Sequence, residues 1–391
     1  MTVTPNVGAV FAVHRCRSTV SAVSSGRSVR QLGGIEVGAP APSRRAKMMQ
    51  MPPLAHLVRE ARGGDDLCLE LTALGSDDPD EIAKLLNDFL FARLAPVADA
   101  VFYRRSTGIV AGVLLSDGRA VVLKVHRWRA SLGRLTAVQM VQEHLARGDL
   151  AAPRPLLAPE MLGTSVVTVE VMRRGERADG HHPSIRRTIA EHLCAFVRAA
   201  RPLRGLTDLG EAALFEPQRS SLWPEPHDLR FDFAATAAGA EWIDELAEGA
   251  RHRLAGIDGN LIVGHMDWRA GNLGFEADRC TAIYDWDSVA LAPEPVVVGA
   301  AAAHFCADWS REAPLPSVAG MRLFVRDYEQ ALGAPFDAGE RALLEAANLL
   351  QCAYGARCQH SDVVLGEAPA ITADGGWVGL LRELTASPPS K

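Results

Sequence analysis

Residues 264–272 read GHMDWRAGN, a polar stretch set between the apolar runs LIV (261–263) and LGF (273–275), with TAIYDWDS following at 281–288. Runs this short and this rich in Ile, Val and Leu read as buried strands. The polar stretch is then a loop clamped between two buried elements, and loops on rigid scaffolds are where chemistry is placed. What this loop offers is oxygen. Asp267 stands two residues after His265, Asn272 five after Asp267, and Asp285 ends the next strand beside Trp286 and Asp287. A carboxylate that accepts a hydroxyl proton, with an amide oxygen and a second carboxylate as hard ligands for Mg2+, is the set that phosphoryl transfer requires.

The chain upstream supplies a counter-charge. Asp77 or Asp78 before Pro79 predicts a helix start, and Ile82, Leu85, Leu86, Phe89 and Leu90 continue it at helical spacing. The segment 108–128 predicts two strands joined at Asp117-Gly118, a favoured hairpin dipeptide. Lys124 falls in the alternating AVVLKV, where it can point into a cleft. Glu143, on the helix predicted over 131–149, is placed to pair with it; Leu135, Val138, Val141, Gln142 and Leu145 share one side of that helix. A strand follows over 164–172, and beyond Arg173 the periodic segments 184–200, 241–254 and 339–357 predict long helices. The reading is α+β: a β-rich lobe over 51–172 and a mostly helical lobe over 173–391.

Composition narrows the classes. A net charge of −6 argues against a nucleic-acid binder, and no apolar run approaches the roughly 20 residues that span a bilayer. Seven cysteines, odd in number and without a C-x-x-C pair, fit reduced thiols in the cytoplasm. Residues 1–50 carry seven Lys/Arg against Glu36 alone, so this stretch is +6 and the remainder −12. Such a Ser-, Gly- and Arg-rich leader reads as disordered. From residue 300 onward eleven acids oppose seven bases, an excess compatible with a cationic substrate and ordinary for a solvated surface.

The pattern H265-M-D267-x-x-x-x-N272 followed by IYDWD resembles the aminoglycoside phosphotransferase family, which shares its fold with the eukaryotic-type protein kinases. The likeness runs from about residue 100 to 355 and includes VVLKV, APRPL (152–156), VEVMRRGE (169–176) and FVRDYEQALG (324–333). It implies a two-lobed protein-kinase-like fold that uses ATP and Mg2+ to phosphorylate a hydroxyl of a small molecule. Asp267 would be the base, Asn272 and Asp285 the metal ligands, and His265 the brace of the loop. Lys124 would contact the α- and β-phosphates with Glu143 fixing it. Backbone groups of Glu170 to Met172 would meet the adenine edge. Arg269, where protein kinases often place a Lys, would stabilise the transferring phosphoryl. Asp287 is read as a cap of the next turn. The chain departs from the family at Met266, which replaces a Gly, and at Arg269, which replaces a common His. It departs again at the phosphate-covering turn, where Ser106, Thr107 and Gly108 stand without a glycine-rich signature. That last departure motivates a second reading, a non-catalytic nucleotide-binding protein. A third, a metal-dependent hydrolase using His265, Asp267, Asp285 and Asp287, lacks further His ligands at suitable spacing.

Overall fold

The structure, a computed structural model, describes residues 53–62, 68–126, 130–148, 150–216, 219–226, 228, 231–255, 260–309, 315–366 and 375–386. The leader expected over 1–50 lies outside the described residues. Three helices open the N-lobe: α1 (Leu54–Arg62), α2 (Cys68–Leu74) and α3 (Pro79–Arg93). Asp78 caps α3, its Oδ1 accepting from the amides of Asp80 at 2.7 Å and Glu81 at 3.3 Å, with Pro79 in the first turn. Ile82, Leu86, Phe89 and Leu90 point inward from it.

The strands β1 (Val97–Arg105), β2 (Ile109–Leu115) and β3 (Ala120–Val125) follow, then α4 (Leu132–Arg147), β4 (Glu160–Leu162) and β5 (Ser165–Val171). They form one antiparallel sheet in the order β1-β2-β3-β5-β4. Side chains alternate across a strand, and Val121, Leu123, Val125, Val167 and Val169 enter the same core as α3. The opposite face, toward the C-lobe, therefore carries Val122, Lys124, Thr168 and Glu170, which the register sets opposite one another as Val122–Glu170 and Lys124–Thr168.

The C-lobe begins with α5 (Pro183–Ala200) and α6 (Glu241–Leu254). Then come the strands β6 (Leu261–His265), β7 (Leu273–Glu276), β8 (Arg279–Ile283) and β9 (Val289–Pro293), and the helices α7 (Glu294–Ala302), α8 (Val318–Leu332), α9 (Ala338–Leu365) and α10 (Gly376–Ala386). The architecture is thus α+β and two-lobed, with a β-rich N-lobe and a larger helical C-lobe. Two antiparallel ribbons, β6–β9 and β7–β8, lie within the helical lobe and carry the loop 264–272 between them. Phe196 of α5 is fully buried beneath them, and its loss to Ala is expected to cost about 3–5 kcal/mol. No helix among the described residues is long and apolar enough to cross a membrane.

Candidate active site

Aromatic side chains hold the loop after β6 from below. Trp268 is fully buried and its Nε1–H donates to Ile189 O of α5 at 2.9 Å; Trp286 donates to Ile283 O at 2.8 Å. Phe196 packs against both, with ring centroids 5.6 and 5.9 Å away. His265 stands edge-on to this cluster, its Nε2 2.9 Å from Tyr284 O. A carbonyl only accepts, so Nε2 carries the proton, and burial keeps the ring below the ordinary histidine pKa, hence neutral. The bond ties the end of β6 to the residue just before Asp285.

Above that anchor the chain turns around Asp267. Asn272 N–H donates to Arg269 O at 2.9 Å, and its Nδ2 donates to Asp267 O at 2.9 Å and to Asp267 Oδ2 at 2.6 Å. The Oδ1 of Asn272 has no partner among the described residues. Arg269 Nε reaches both oxygens of Asp267, at 2.9 and 3.1 Å, which leaves its terminal nitrogens facing outward from the pair. His304 Nε2 lies 3.3 Å from Asp267 Oδ1. Burial pushes the Asp267 carboxyl up, but the hydrogen bond from His304 and the charge of Arg269 outweigh it and hold the group far below the usual carboxylate range. Asp267 is therefore ionised throughout the physiological pH range.

His304 was not visible in the sequence. It sits in the turn after α7, which docks on the loop through the backbone: Ala270 N–H donates to Phe305 O at 2.8 Å and Gly271 N–H to Ala307 O at 2.9 Å. Arg134, at the start of α4, carries no signal in the sequence either. Its guanidinium donates to the carbonyls of Leu209, Asp287 and Val289, so the N-lobe helix is stapled to the segment that carries Asp285.

Asp285 adopts a left-handed backbone, φ 61° and ψ 47°, which is costly for a residue with a Cβ and concentrates at functional sites. Burial, then the charge of Asp287, push its carboxyl up to about 7 against the opposing pull of Lys124. Asp287 is no cap: its carboxylate faces Asp285, Lys124 and His126, whose Nδ1 is 3.9 Å away. Burial favours its neutral form, yet the Lys124 and His126 charges hold its carboxyl below the usual range. Asn272 Oδ1 and the Asp285 carboxylate make an all-oxygen donor set, with more negative charge nearby than Lys124 alone offsets. That fits a hard divalent cation. Among the described residues no group of three or more His, Cys, Asp or Glu side chains is placed to hold a metal unaided. An ion that keeps waters and phosphate oxygens as ligands needs no such cage.

The N-lobe wall departs from expectation at Glu143, and two further parts of it take a definite form. First, Glu143 does not reach Lys124. It is half-exposed and paired with Arg147 at 2.6 Å, one turn along α4. The helix is rotated so that Leu135, Val138, Val141, Gln142 and Leu145 are buried, and one residue step of about 100° carries Glu143 to the outside. Gln142 takes the inner position instead and donates to Glu170 Oε2 at 2.6 Å. Glu170 is the carboxylate whose charge, with those of Asp287 and Asp285, keeps the buried Lys124 protonated although burial favours the neutral amine.

Second, the backbone of Glu170 to Met172 is engaged in pairing: Glu170 is laddered to Val122, Val171 N–H donates to Arg154 O at 2.9 Å, and Met172 N–H to Ala120 O at 2.9 Å. From Val171 to Glu176 the connecting chain lines a cavity, and it is pinned where Glu176 and Phe275 exchange amide bonds of 2.8 and 2.9 Å. Third, residues 106–108 form a tight turn closed by Ser106 N–H to Gly108 O at 3.0 Å. A Cβ at Gly108 would stand 2.6 Å from Val125 O, so the turn rests on the end of β3. It lies at the Lys124 end of the sheet, with the amides of Thr107 and Gly108 unpaired among the described residues.

The sequence pattern of a phosphotransferase enzyme family matches residues 111–344. No curated protein matches the chain. Among solved structures, an amicoumacin kinase in complex with AMP-PNP and Ca2+ is 11% identical over 77% of this chain and 91% of its own, with a TM-score of 0.53. A thermostable mutant of an aminoglycoside phosphotransferase, in its apo form, is 15% identical over 77% and 100%, with a TM-score of 0.49. The macrolide 2'-phosphotransferase of Brachybacterium faecium is 15% identical over 78% and 99%, with a TM-score of 0.45. At these identities the likeness to the first bears on the fold alone.

Proposed function

The chain belongs to the phosphotransferase enzyme family, and from that premise we propose that it is an ATP- and Mg2+-dependent kinase acting on a hydroxyl group of a small molecule. The observation that carries the reading is the coupling of Asp267 to Asn272. One amide nitrogen bonds the base at 2.6 Å while the amide oxygen of the same side chain stays open. Base and metal ligand are therefore fixed relative to each other.

Asp267 orients the acceptor hydroxyl and takes its proton on a carboxylate oxygen. Its strongly stabilised charge makes it a weak base, so in this reading the proton moves late, once phosphoryl transfer has acidified the hydroxyl. The terminal nitrogens of Arg269, which make no hydrogen bond among the described residues, are available to the transferring phosphoryl. Lys124, held charged by Glu170 and with it by Gln142, neutralises the nucleotide phosphates. Thr107 and Gly108 amides reach the phosphates from above, and the chain from Arg173 onward faces the base. Mg2+ held by Asn272 and Asp285 would supply charge neutralisation between the phosphates. The described cysteines are all free thiols, which suits a cytoplasmic enzyme.

The lack of a glycine-rich signature at 106–108 favours one competing reading, nucleotide binding without turnover. A screen for ADP release across alcohols, sugars and aminoglycosides, beside calorimetric titration of MgATP, separates the two. Turnover with an acceptor supports the kinase. MgATP binding with no ADP release from any acceptor favours the second reading, and failure to bind MgATP sinks both.

A further inference from the structure

Asp267 is enclosed on one side by a closed circuit of side chains that phosphoryl transfer itself does not require. Arg269 and His304 contact its carboxylate, and each is backed by an indole. The Arg269 Cζ lies 5.7 Å from the Trp309 ring centroid, and the His304 ring is 6.5 Å from that of Trp377. The two indoles are 6.3 Å apart. His304 approaches Oδ1 of Asp267 whereas Asn272 takes Oδ2. Since Asn272 faces the nucleotide in the reading above, the tryptophan wall stands on the acceptor side.

The wall is built rather than incidental. Trp377 lies on α9 where Gly355 leaves room for it; a Cβ there would come within 2.3 Å of the indole. Gln359 Oε1 accepts from the amides of Trp377 at 2.7 Å and Val378 at 3.2 Å, fixing the start of α10. Trp309 rests on this support yet remains 55% exposed. A large apolar face left open beside a catalytic carboxylate is the mark of a binding surface.

Charge then restricts what docks there. Two carboxylates on this side are already compensated, Asp267 by Arg269 and the buried Asp308 by Arg177. Arg269, directly against Trp309, opposes a second cation there.

We infer that the acceptor is a neutral hydroxylated compound bearing an aromatic or flat apolar ring, which stacks on Trp309 while its hydroxyl meets Asp267. The inference rests on the phosphotransferase reading for the hydroxyl, and on the wall alone for the ring.

The test uses the full chain with three probes: phenyl β-glucoside, sorbitol and kanamycin, in titration calorimetry and in ADP release with MgATP. Phenyl β-glucoside is expected to bind at least tenfold more tightly than sorbitol, with no kanamycin turnover. Trp309→Ala should weaken the aryl glycoside about tenfold in Kd and in acceptor KM, and Trp309→Phe should restore most of it, since stacking of this kind is a tenfold effect. Preference for kanamycin, or a Trp309→Ala variant that binds phenyl β-glucoside as the parent does, overturns the inference while leaving the kinase intact. Trp309-dependent binding of the aryl glycoside with no turnover of any probe upholds the wall and removes the phosphotransferase reading instead.

Discussion

The two walls of the cleft differ in how far along the chain their partners come from. On the C-lobe side, Asp267 bonds Arg269 two residues on and Asn272 five residues on. On the N-lobe side, the counter-charge of Lys124 is Glu170, from two strands later, and Glu170 is held by Gln142 at a separation of 28 residues. The first wall has a local motif at its centre, anchored by Trp268 and closed from outside by His304. The second exists only once a helix has settled its rotation against a sheet. Chemistry encoded locally is written in the order of the residues; chemistry encoded by packing register depends on how a helix is turned, and here the turn sets Gln142, not Glu143, against Glu170.

The largest expected effect tests the local wall. Asp267→Asn keeps the shape of the loop, because the new amide oxygen can still accept from Arg269 or Asn272. It removes the proton acceptor, and kcat should fall about 10²–10⁴-fold while MgATP affinity changes little. Steady-state kinetics with the acceptor found in the screen, beside nucleotide calorimetry on the same preparation, measures both. A variant that turns over at the parent rate removes Asp267 from the chemistry.

The junction of the two walls comes next. Asp285→Ala should weaken Mg2+-dependent ATP binding by on the order of 10²-fold, and more than Asp287→Ala does, because Asp285 is the carboxylate of the proposed ligand set while Asp287 is occupied with Lys124 and His126. Equal losses in calorimetry would mean that the two carboxylates share the ion.

How much of this was legible follows the same division. Asp267, Asn272 and Asp285 lie within 19 residues on one loop and hairpin, and their order alone predicts their meeting. His304 lies in AAAAHFCAD, an apolar run with no chemical signal; only the backbone docking of Phe305 and Ala307 on the loop brings it to Asp267. Gln142 is legible only in part: periodicity places it on the buried side of α4, whereas charge complementarity to Lys124 points to Glu143, and burial decides the rotation. The alternation in VTVEV likewise places Glu170 across the strand from the core valines, facing Lys124, whereas the family likeness pointed to its backbone.

Acid titration sharpens the comparison from the N-lobe side. Burial depresses His126 to about 4 although Asp287 favours its charged form; Lys124 adds to the depression. Its Nε2 bonds Thr168 Oγ1 at 2.8 Å. Between about 4 and its unfolded value of 6.5 the unfolded chain binds a proton that the folded one refuses, so stability rises with pH across that window, by roughly 3 kcal/mol. Asp285, raised to about 7, contributes with the opposite sign. The difference between His126→Gln and the parent isolates the histidine. From pH 4.5 to 7 the urea midpoint of the variant should rise less, or fall more, than that of the parent; an identical pH dependence would mean that folding does not depress the His126 pKa.

The smallest effects discriminate most finely between a wall set by register and one set by pattern. Glu170→Gln leaves Gln142 without its carboxylate and Lys124 without the nearest compensating charge, and it should raise the KM for MgATP about tenfold, the loss of one charge-assisted contact. Glu143→Gln removes only an exposed pair with Arg147, a contact worth less than about 1 kcal/mol for stability, and nucleotide KM should stay within twofold. The reverse order would show that α4 rotates when nucleotide binds, carrying Glu143 inward by the one residue step that now separates it from Gln142. The double variant settles which: additive losses place the two residues in independent roles, whereas a double variant no worse than Glu170→Gln keeps Lys124 with Glu170 throughout.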